Sequence, residues 1–275
     1  MTLLREIAKN TLLAVPWVRR RELRTQLAAG FGQETTSTPE YVREVFSQHR
    51  AAVERWRPIQ GRVLEIGPGA NLANAALFVK AGADEAVCID VMPWLEHRQP
   101  LYDALGIDAD VLERVRYECP CAIESAAFPD ESFDVILSHA CFQRFYDPQA
   151  ATRNIARMLR PGGVTTHQID FRDHRDPARP LEFLKTGDLL WRLATSRSYP
   201  PNRWRASDVR EAFVATGLEV LELDVNLRTE VAPELAASFA PRFRRKTLDD
   251  LGALGLFIVA RKPSHAGGHA AAYSP

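Results

Sequence analysis

A glycine turn followed by an acidic residue is the first feature of the sequence that could do chemistry. Gly67 and Gly69 follow the apolar stretch RVLEI, and Asp90 ends the next apolar stretch, EAVCID. Glycines at such a turn let the backbone approach a ligand, and the helix that follows offers unpaired N–H groups. An acid at the end of the next strand, roughly 20 residues on, can accept hydrogen bonds from two ribose hydroxyls. The pattern therefore predicts a site for a cofactor that carries a ribose.

Two classes of cofactor fit such a site, and the residues after the turn separate them. A dinucleotide-binding turn has a third glycine, in the pattern G-x-G-x-x-G. Leu72 occupies that position here, so the fingerprint for a nicotinamide dinucleotide fails. The remaining candidate is S-adenosylmethionine, which also carries a ribose beside an adenine. A purely structural strand–helix turn with a capping aspartate is the competing interpretation of these residues.

The segments that must position these residues alternate between strand and helix. Apolar runs typical of buried strands occur at RVLEI, EAVCID, VRYEC, SFDVILSHA and VTTHQIDF, with helix-like stretches between them. Two more, LEVLELDV and ALGLFIVARK, lie near the carboxyl end of the sequence. Such alternation predicts an α/β fold with a doubly wound, mostly parallel sheet, whose ligands bind at the carboxyl ends of the strands.

The chain is expected to have three parts. Residues 1–58 read as an N-terminal helical segment or lid, and residues 59–263 as the α/β core. The core carries a small cap insertion at about residues 172–205, which is irregular and rich in aromatic residues. Residues 264–275 show no apolar period and are predicted to be disordered.

Three motifs, in order along the chain, resemble those of class I S-adenosylmethionine-dependent methyltransferases. The stretch VLEIGPGAN is similar to the first motif of that family, acid-x-Gly-x-Gly-x-Gly, with Asn71 in place of the third glycine. FPDESFDVILSHA resembles the region of the fourth strand, and RMLRPGGV resembles the turn into the fifth. Together the three motifs cover about residues 60–165.

The resemblance implies a Rossmann-like sheet of seven strands, with the final strand reversed and S-adenosylmethionine above the first two. Gly67 and Gly69 would lie against the methionine part of the cofactor, and Glu65 would help to hold its ammonium group. Asp90 would bind the ribose hydroxyls, with Val91 or Met92 beside the adenine. These roles are expectations carried over from the family onto matching positions.

The adenine end departs from the family's pattern. Many relatives carry an acid after the third strand that receives the adenine amino group, and Ala122 stands at that place here. The contact would then come from the backbone, from Glu124, or not at all, with Ile123 lining the adenine site. Ser138, at the end of the fourth strand, completes the residues expected at the cofactor.

Histidines near the ends of the fourth and fifth strands are candidates for a general base. Methyl transfer from a sulfonium mainly requires alignment of the nucleophile, and an oxygen acceptor must also lose a proton. His139 ends the fourth strand and His167 lies in the fifth, and a histidine can take a proton near neutral pH. His174, in the charged stretch DFRDHRD, is a third candidate, although a solvated loop of paired charges is the commoner outcome. For each histidine the competing interpretation is a hydrogen-bonded residue of the cleft or core.

The amino-acid composition limits the kinds of binding partner to expect. Lys and Arg total 35, as do Asp and Glu, so net charge gives no reason to expect a nucleic-acid or membrane partner. The cysteines have spacings that suit reduced thiols rather than disulfides or a metal site, and no metal is predicted; they are Cys88, Cys119, Cys121 and Cys141. The apolar run at residues 12–18 precedes its arginines, the reverse of a signal peptide, and is too short to span a bilayer. We expect a cytoplasmic protein.

The sequence therefore predicts methyl transfer from S-adenosylmethionine to a small organic acceptor, with an oxygen nucleophile favoured and nitrogen or carbon left open. Aromatic residues of the cap, among them Phe183, Trp191 and Trp204, would enclose a mid-sized acceptor, or would form a small satellite core. Two alternatives stay open: an enzyme such as a cyclase that keeps the fold without transferring methyl, and a cofactor-binding regulatory protein. A homodimer is also considered.

Overall fold

One sheet of seven strands organises the part of the chain that the computed structural model describes, residues 3–18, 21–22, 25, 35–96, 98–174, 176–195 and 202–264. The strands are β1 (Arg62–Ile66), β2 (Glu85–Ile89), β3 (Val115–Glu118), β4 (Phe133–His139), β5 (Leu159–Asp170), β6 (Glu219–Arg228) and β7 (Ala253–Arg261). Their order across the sheet is β3-β2-β1-β4-β5-β7-β6.

The strand directions match the predicted fold class. Strands β1 to β5 pair in parallel, and β7 runs antiparallel to both of its neighbours, β5 and β6. The doubly wound, mostly parallel sheet and its reversed final strand are therefore confirmed. The chain changes its direction across the sheet between β1 and β4, and ligands of such sheets bind at the carboxyl ends of the strands beside that switch point.

Helices cover both faces of the sheet. In chain order they are α1 (Leu3–Leu12), α2 (Pro39–Glu54), α3 (Ala73–Lys80), α4 (Gln99–Ala104), α5 (Ala109–Leu112), α6 (Pro148–Met158), α7 (Asp188–Thr195), α8 (Ala206–Ala215), α9 (Pro233–Ala237) and α10 (Leu248–Gly252). Helix α2 begins where the Thr38 hydroxyl accepts a hydrogen bond from the backbone N–H of Tyr41, at 3.2 Å, with a proline in the first turn.

Side-chain alternation along the strands divides the core into two layers. Val135 and Leu137 of β4 pack on the face covered by α2 and α3. Phe133 and Ile136 pack on the opposite face, which α6 and α8 cover. Because successive side chains of a strand point to opposite faces, His139 belongs to the α2 side of the sheet and its neighbour Ser138 to the α8 side.

The cap and the N-terminal segment meet away from the sheet. Helix α1 packs against α7, and Asn10 Nδ2 donates a hydrogen bond to the Leu193 carbonyl at 2.8 Å. Trp191 and Phe183 join a third, separate apolar cluster, as the satellite-core interpretation of the cap aromatics expected. The predicted domain boundaries stay predictions, and nearly all of the predicted disordered tail lies outside the described residues.

Proline and glycine set the bounds of two elements near the carboxyl half of the sheet. The stretch APELAASFAPRFRRKTLDDL, between β6 and β7, forms two short helices, α9 and α10. Pro241 lies between them, and a proline lacks the N–H that a continuous helix would need. Strand β5 starts at Leu159, earlier than predicted, because the Pro-Gly-Gly segment already runs beside β4.

One buried carboxylate joins the amino-terminal ends of three strands. Asp134 accepts hydrogen bonds from the Arg62 backbone N–H at 2.9 Å, from Arg57 Nη2 at 2.8 Å and from Arg160 Nη1 at 2.6 Å. Gly61 has a φ of 73°, and a Cβ there would overlap the Asp134 carboxylate. Asp134, which lies in the second of the three family-like motifs, is therefore a structural anchor. It holds the amino-terminal ends of the strands, opposite the glycine turn.

Replacing Asp134 by asparagine should destabilise the protein. Asp134→Asn keeps the shape but leaves two arginines facing an uncharged group, and we expect the free energy of unfolding to fall by about 2–4 kcal/mol. Urea unfolding measures this. Asp130→Asn is the matched control, because Asp130 is 72% exposed and pairs only with Arg157 at the surface; it should lose less than about 1 kcal/mol. Equal losses in the two variants would contradict the anchoring role.

Candidate active site

The glycine turn lies between β1 and α3, at the switch point of the sheet. Gly67 and Gly69 have φ values of 72° and 69°, in the left-handed region. A Cβ at Gly67 would overlap Cys141 Sγ, whereas one at Gly69 would meet no atom within 4 Å. The protein's own packing thus requires glycine at position 67, while Gly69 faces open space that a ligand can enter.

Glu65 is a buried carboxylate one residue before the end of β1. Asn74 Nδ2 donates a hydrogen bond to it at 2.8 Å, and the Cys88 thiol lies 3.9 Å away. Burial raises the pKa of Glu65 to about 7, although these hydrogen bonds act in the opposite direction. Asn74 Oδ1 is buried and has no hydrogen-bond partner among the described residues. An unpaired acceptor beside a buried carboxylate fits an ammonium group, which brings both positive charge and N–H donors.

Asp90 follows the last residue of β2 and is almost fully buried. Its Oδ1 accepts a hydrogen bond from the Met92 N–H at 3.0 Å. Burial raises the pKa of Asp90 to about 6, opposed by backbone hydrogen bonds from Met92, Gly69 and Val91. The backbone of the glycine turn and the predicted ribose-binding acid therefore meet.

A cleft opens beside the turn, and predicted cofactor residues line it: Gly67, Asp90, Val91 and Ile123. Apolar groups of Ile66, Ile89, Cys121, Cys141 and Phe145 form much of its wall. A flat apolar wall with a carboxylate at one end has the chemistry that an adenine and its ribose need.

Glu124 also borders this cleft, but its carboxylate already has partners. Glu124 Oε1 accepts hydrogen bonds from the backbone N–H groups of Tyr146 at 2.7 Å and Asp147 at 3.3 Å. It ties the loop after β4 to the short 3-10 turn Ile123–Ser125. Because position 122 is an alanine and the Glu124 carboxylate is engaged, the backbone is the remaining source of an adenine contact.

His139, the last residue of β4, lies on the α2 side of the sheet. Its Nδ1 is 3.2 Å from Nε2 of His49, and the Tyr41 ring lies edge-on to it with 6.0 Å between the ring centroids. Among the described residues, no hydrogen bond is made to His139 Nε2. Burial lowers the pKa of His139 to about 4, so the imidazole is neutral at physiological pH.

His167 and Ser138 face the other side of the sheet. Ser138 Oγ lies 2.7 Å from His167 Nδ1, and Thr165 Oγ1 lies 2.7 Å from His167 Nε2. Phe142 and Phe213 pack against the imidazole, which is fully buried, and burial lowers its pKa to about 3. Both ring nitrogens of His167 are engaged away from the cleft, so the geometry does not support it as a base. The Ser138 hydroxyl is turned towards His167, and its predicted contact with the cofactor is likewise not supported.

His174 lies in a loop of paired charges, the commoner outcome for such a stretch. Its Nε2 is 3.4 Å from Asp170 Oδ2, and Arg172 binds the same carboxylate at 2.6 Å. These partners hold the pKa of Asp170 below its ordinary value, although burial alone would raise it. We therefore keep His139 as the candidate base.

The sequence analysis missed His49. This residue lies in α2 and is fully buried, and its Nδ1 is 2.7 Å from Thr166 Oγ1 of β5. Its spacing from Val42, Val45 and Val53 is that of one buried helix face, so from sequence alone it reads as a core residue. Only the packing of α2 across β4 and β5 reveals that it contacts His139.

Comparison with known proteins identifies the family. A family model described as a methyltransferase domain matches residues 39–223, about two thirds of the sequence. The chain belongs to this family. The resemblance to class I S-adenosylmethionine-dependent methyltransferases, and with it the predicted class of enzyme, is thereby confirmed.

Individual relatives agree with that assignment. The uncharacterized methyltransferase YcgJ of Bacillus subtilis (strain 168) is 30% identical over 148 residues, covering 53% of this chain and 54% of the relative. A ubiquinone biosynthesis O-methyltransferase of Parvibaculum lavamentivorans is 34% identical over 132 residues, covering 45% and 47%. The chain thus spans about half the length of the curated relatives it matches. The crystal structure of YcgJ, 18% identical, superposes with a TM-score of 0.51 over 81% of this chain and 99% of that one, which shows the shared fold.

Neither a metal-binding cluster nor a membrane-spanning helix occurs in the part of the chain that the structure describes. Within the described ranges, no group of three or more His, Cys, Asp or Glu side chains could hold a metal ion. None of the helices described is long and apolar enough to cross a membrane. The four cysteines all lie in described segments and are unpaired.

The raised pKa of Glu65 predicts opposite effects on binding and stability. The pKa of Glu65 is about 7 in the folded protein and near 4.5 in the unfolded chain. The folded state therefore becomes less stable as pH rises between those two values. At pH 8, Glu65→Gln should therefore raise the free energy of unfolding by about 1–3 kcal/mol relative to wild type, and at pH 4.5 by much less. Denaturant unfolding at the two pH values measures this difference.

The same variant should bind S-adenosylmethionine roughly 10- to 100-fold more weakly at pH 8, because an ammonium needs an ionised partner. Wild-type affinity should also weaken as pH falls from 7.5 to 5.5, and calorimetry at both values measures it. A variant that bound as tightly as wild type at pH 8 would contradict the assignment of Glu65 to the ammonium group.

Gly69 offers a test that separates ligand contact from folding. In Gly69→Ala the added methyl enters open space, so the fold should lose only about 1 kcal/mol for a left-handed alanine. The methyl would occupy cofactor space, and affinity for S-adenosylhomocysteine should fall at least about 10-fold.

Gly217→Ala is the matched control. Gly217 has a φ of 81°, a methyl group added there would meet no atom within 4 Å, and the residue lies between the end of α8 and the start of β6. This variant should show the same small loss of stability with unchanged affinity. Equal affinity in Gly69→Ala, Gly217→Ala and wild type would remove Gly69 from the cofactor site.

Proposed function

We propose that the protein transfers a methyl group from S-adenosylmethionine to the oxygen of a small organic acceptor, with His139 as the general base. The observation that carries this proposal is the position of His139 beside the glycine turn. Ser138 pairs with Ile66 in the β1–β4 register, so the next residues, His139 and Gly67, are neighbours at the carboxyl edge of the sheet. The His139 Nε2 atom makes no hydrogen bond within the described structure.

The chain's own residues would divide the work of holding the cofactor. Glu65 binds the ammonium group, Asp90 the ribose hydroxyls, and Val91 and Ile123 the adenine ring. Gly69 leaves room for the cofactor to lie close to the backbone. When bound, S-adenosylmethionine supplies a methyl group on a positively charged sulfur, which needs alignment more than activation.

His139 would remove the proton of the acceptor hydroxyl. Its pKa of about 4 keeps the imidazole unprotonated at neutral pH, so its nitrogen lone pair is available. A base this weak works best on an acidic hydroxyl, such as that of a phenol or an enol, with proton removal coupled to methyl transfer. The name of one relative, a ubiquinone biosynthesis O-methyltransferase, describes methylation at oxygen and supports this preference.

Amide side chains beside His139 suit a neutral, oxygen-bearing acceptor. Gln168 of β5 lies opposite His139 in the strand register. Its Oε1 accepts hydrogen bonds from Gln48 Nε2 at 3.2 Å and from Asn226 Nδ2 at 2.8 Å. Its own Nε2 makes only a long contact, 3.5 Å, with the Ile169 carbonyl, and is available as a donor to an acceptor oxygen.

This proposal includes the preference for an oxygen nucleophile, the small-molecule acceptor and the cytoplasmic location. The homodimer stays a prediction.

The first experiment is a calorimetric titration with S-adenosylmethionine, S-adenosylhomocysteine and NADH, with Asp90→Ala alongside. Binding of the two adenosyl ligands that Asp90→Ala loses would support the cofactor assignment. Absence of binding to either would overturn the proposed function and favour a protein that keeps the fold without the chemistry.

Substitution of His139 tests the base. Release of S-adenosylhomocysteine is followed with a panel of phenols, hydroxy acids and amines as acceptors. His139→Gln should lower the rate with a hydroxyl acceptor by roughly 10²- to 10⁴-fold, because proton removal is lost. Affinity for S-adenosylmethionine should stay within about 2-fold, since the residue acts on the acceptor.

His174→Gln is the control for that experiment, because His174 is 42% exposed and pairs with Asp170 in a surface loop. Its rate should match wild type. An unchanged rate in His139→Gln would remove His139 as the base, and a preference for amine acceptors would replace oxygen by nitrogen.

A further inference from the structure

We propose that His49 is a positioning residue for this reaction: it holds His139 in the tautomer whose Nε2 lone pair faces the acceptor, and it shares the proton that His139 takes up. The inference rests on the proposed function, in which His139 is the base. It concerns a residue of α2, outside the three sequence motifs.

Three elements contribute to one chain of polar contacts. Thr166 Oγ1 of β5 lies 2.7 Å from His49 Nδ1, and His49 Nε2 lies 3.2 Å from His139 Nδ1. Thr166 and His49 are fully buried, and His139 lies at the open end. Each nitrogen of His49 thus faces one partner, and the chain leads from the core to the carboxyl end of β4, beside the glycine turn.

The tautomers along this chain are coupled. A neutral histidine has one N–H, so the chain can run in two directions. His139 accepts a proton at Nε2 only when its own proton is on Nδ1 and is donated to His49 Nε2. His49 then carries its proton on Nδ1 and donates it to the Thr166 hydroxyl oxygen. An acceptor hydroxyl that donates to His139 Nε2 favours this direction and no other.

The pair can also share one positive charge. Burial is the main cause that lowers the pKa of His49, and the nearby His139 lowers it further, so the pair takes up at most one proton beyond the one that each neutral ring carries. As the acceptor O–H bond breaks, a new N–H bond forms at His139 Nε2, and the oxygen bonds to the transferred methyl while the carbon–sulfur electron pair stays on sulfur. The His139 Nδ1–H then makes a charge-assisted hydrogen bond to neutral His49, or passes its proton to it.

No other ionised group is needed for this behaviour. Among the described residues, Thr166 and Gln168 lie beside the pair as uncharged groups, the Tyr41 ring lies edge-on to His139, and the Phe257 ring lies 5.3 Å from the His49 ring between centroids. His167, on the other face of the sheet, acts on His49 only by charge repulsion. The positive charge would therefore be stabilised mainly within the His49–His139 pair.

The competing explanation is that His49 is a hydrogen-bonded core residue with no part in the reaction. A purely structural histidine would change stability when replaced, but not the tautomer of His139 or the balance between kcat and KM. Those two readouts separate the explanations.

The experiment compares wild type, His49→Gln, His49→Leu and Thr166→Val. Gln places an acceptor oxygen where His49 Nε2 lies, whereas Leu offers none. Nitrogen-15 NMR of histidine-labelled protein reports which ring nitrogen of His139 carries the proton. Melting temperature and S-adenosylhomocysteine affinity check that each variant is folded.

We expect His139 to be protonated on Nδ1 in wild type and His49→Gln, and on Nε2 in His49→Leu. With a hydroxyl acceptor, kcat should fall roughly 10- to 100-fold in His49→Leu, with both KM values within about 3-fold of wild type, and His49→Gln should recover most of that loss. Thr166→Val should lose about 2- to 5-fold, as the distal member of the chain.

Nε2 protonation of His139 in folded wild type, or an unchanged tautomer in folded His49→Leu, would overturn the inference. If His49→Leu does not fold, His49→Gln and Thr166→Val carry the test. Absence of cofactor binding or turnover in wild type would overturn the proposed function instead, and the NMR result would still decide whether His49 sets the tautomer of His139.

Discussion

The hydrogen bonds of one buried carboxylate set the geometry on which the site depends. Asp134 joins the start of β1 through the Arg62 N–H, the start of β5 through Arg160, and the segment after α2 through Arg57. The site lies at the other ends of the same elements, and α2 also carries His49. A slip of one residue in any of these strands would turn every side chain to the opposite face. The anchor therefore keeps His139 on the α2 side of the sheet, beside the glycine turn, by fixing the strands at their far ends.

The fold and the cofactor half of the site depend on local patterns, and local patterns can be seen in a sequence. Gly67, Gly69 and Asp90 come directly after apolar strands, and parallel strands bring such positions to one edge. The alternation of side chains along a strand is also visible in the sequence. Which of the two alternating sets packs under which helices depends on tertiary contacts, and these are not. Ser138 was predicted at the cofactor and His167 as a base, and the packing of Phe142 and Phe213 around His167 shows that both side chains are enclosed in the core on the α8 side.

Contacts between distant segments were beyond the reach of the sequence. His49 and His139 are 90 residues apart along the chain, and no period or motif links them. Asn71 is a second case, since it looked like a defect in the first motif. Its Oδ1 accepts from the Ala73 N–H at 3.1 Å and its Nδ2 donates to Ser37 Oγ at 3.1 Å. In place of the third glycine, the amide accepts a hydrogen bond from the first residue of α3 and ties the N-terminal segment to the turn.

Burial shifts the pKa values of the acids and of the base of the site in opposite directions, and in each case it disfavours the charged form. It raises the pKa of Glu65 to about 7 and that of Asp90 to about 6, and it lowers that of His139 to about 4, so near neutral pH Glu65 is only partly ionised and His139 is uncharged. S-adenosylmethionine carries positive charge on both sulfur and nitrogen, which favours ionised acids and disfavours a protonated histidine. In the proposed function, this ligand would reinforce the protonation states that the reaction needs: carboxylates that bind cations, and an imidazole still free to accept a proton. The same burial that makes these charges costly to hold alone would favour a cationic cofactor at the site.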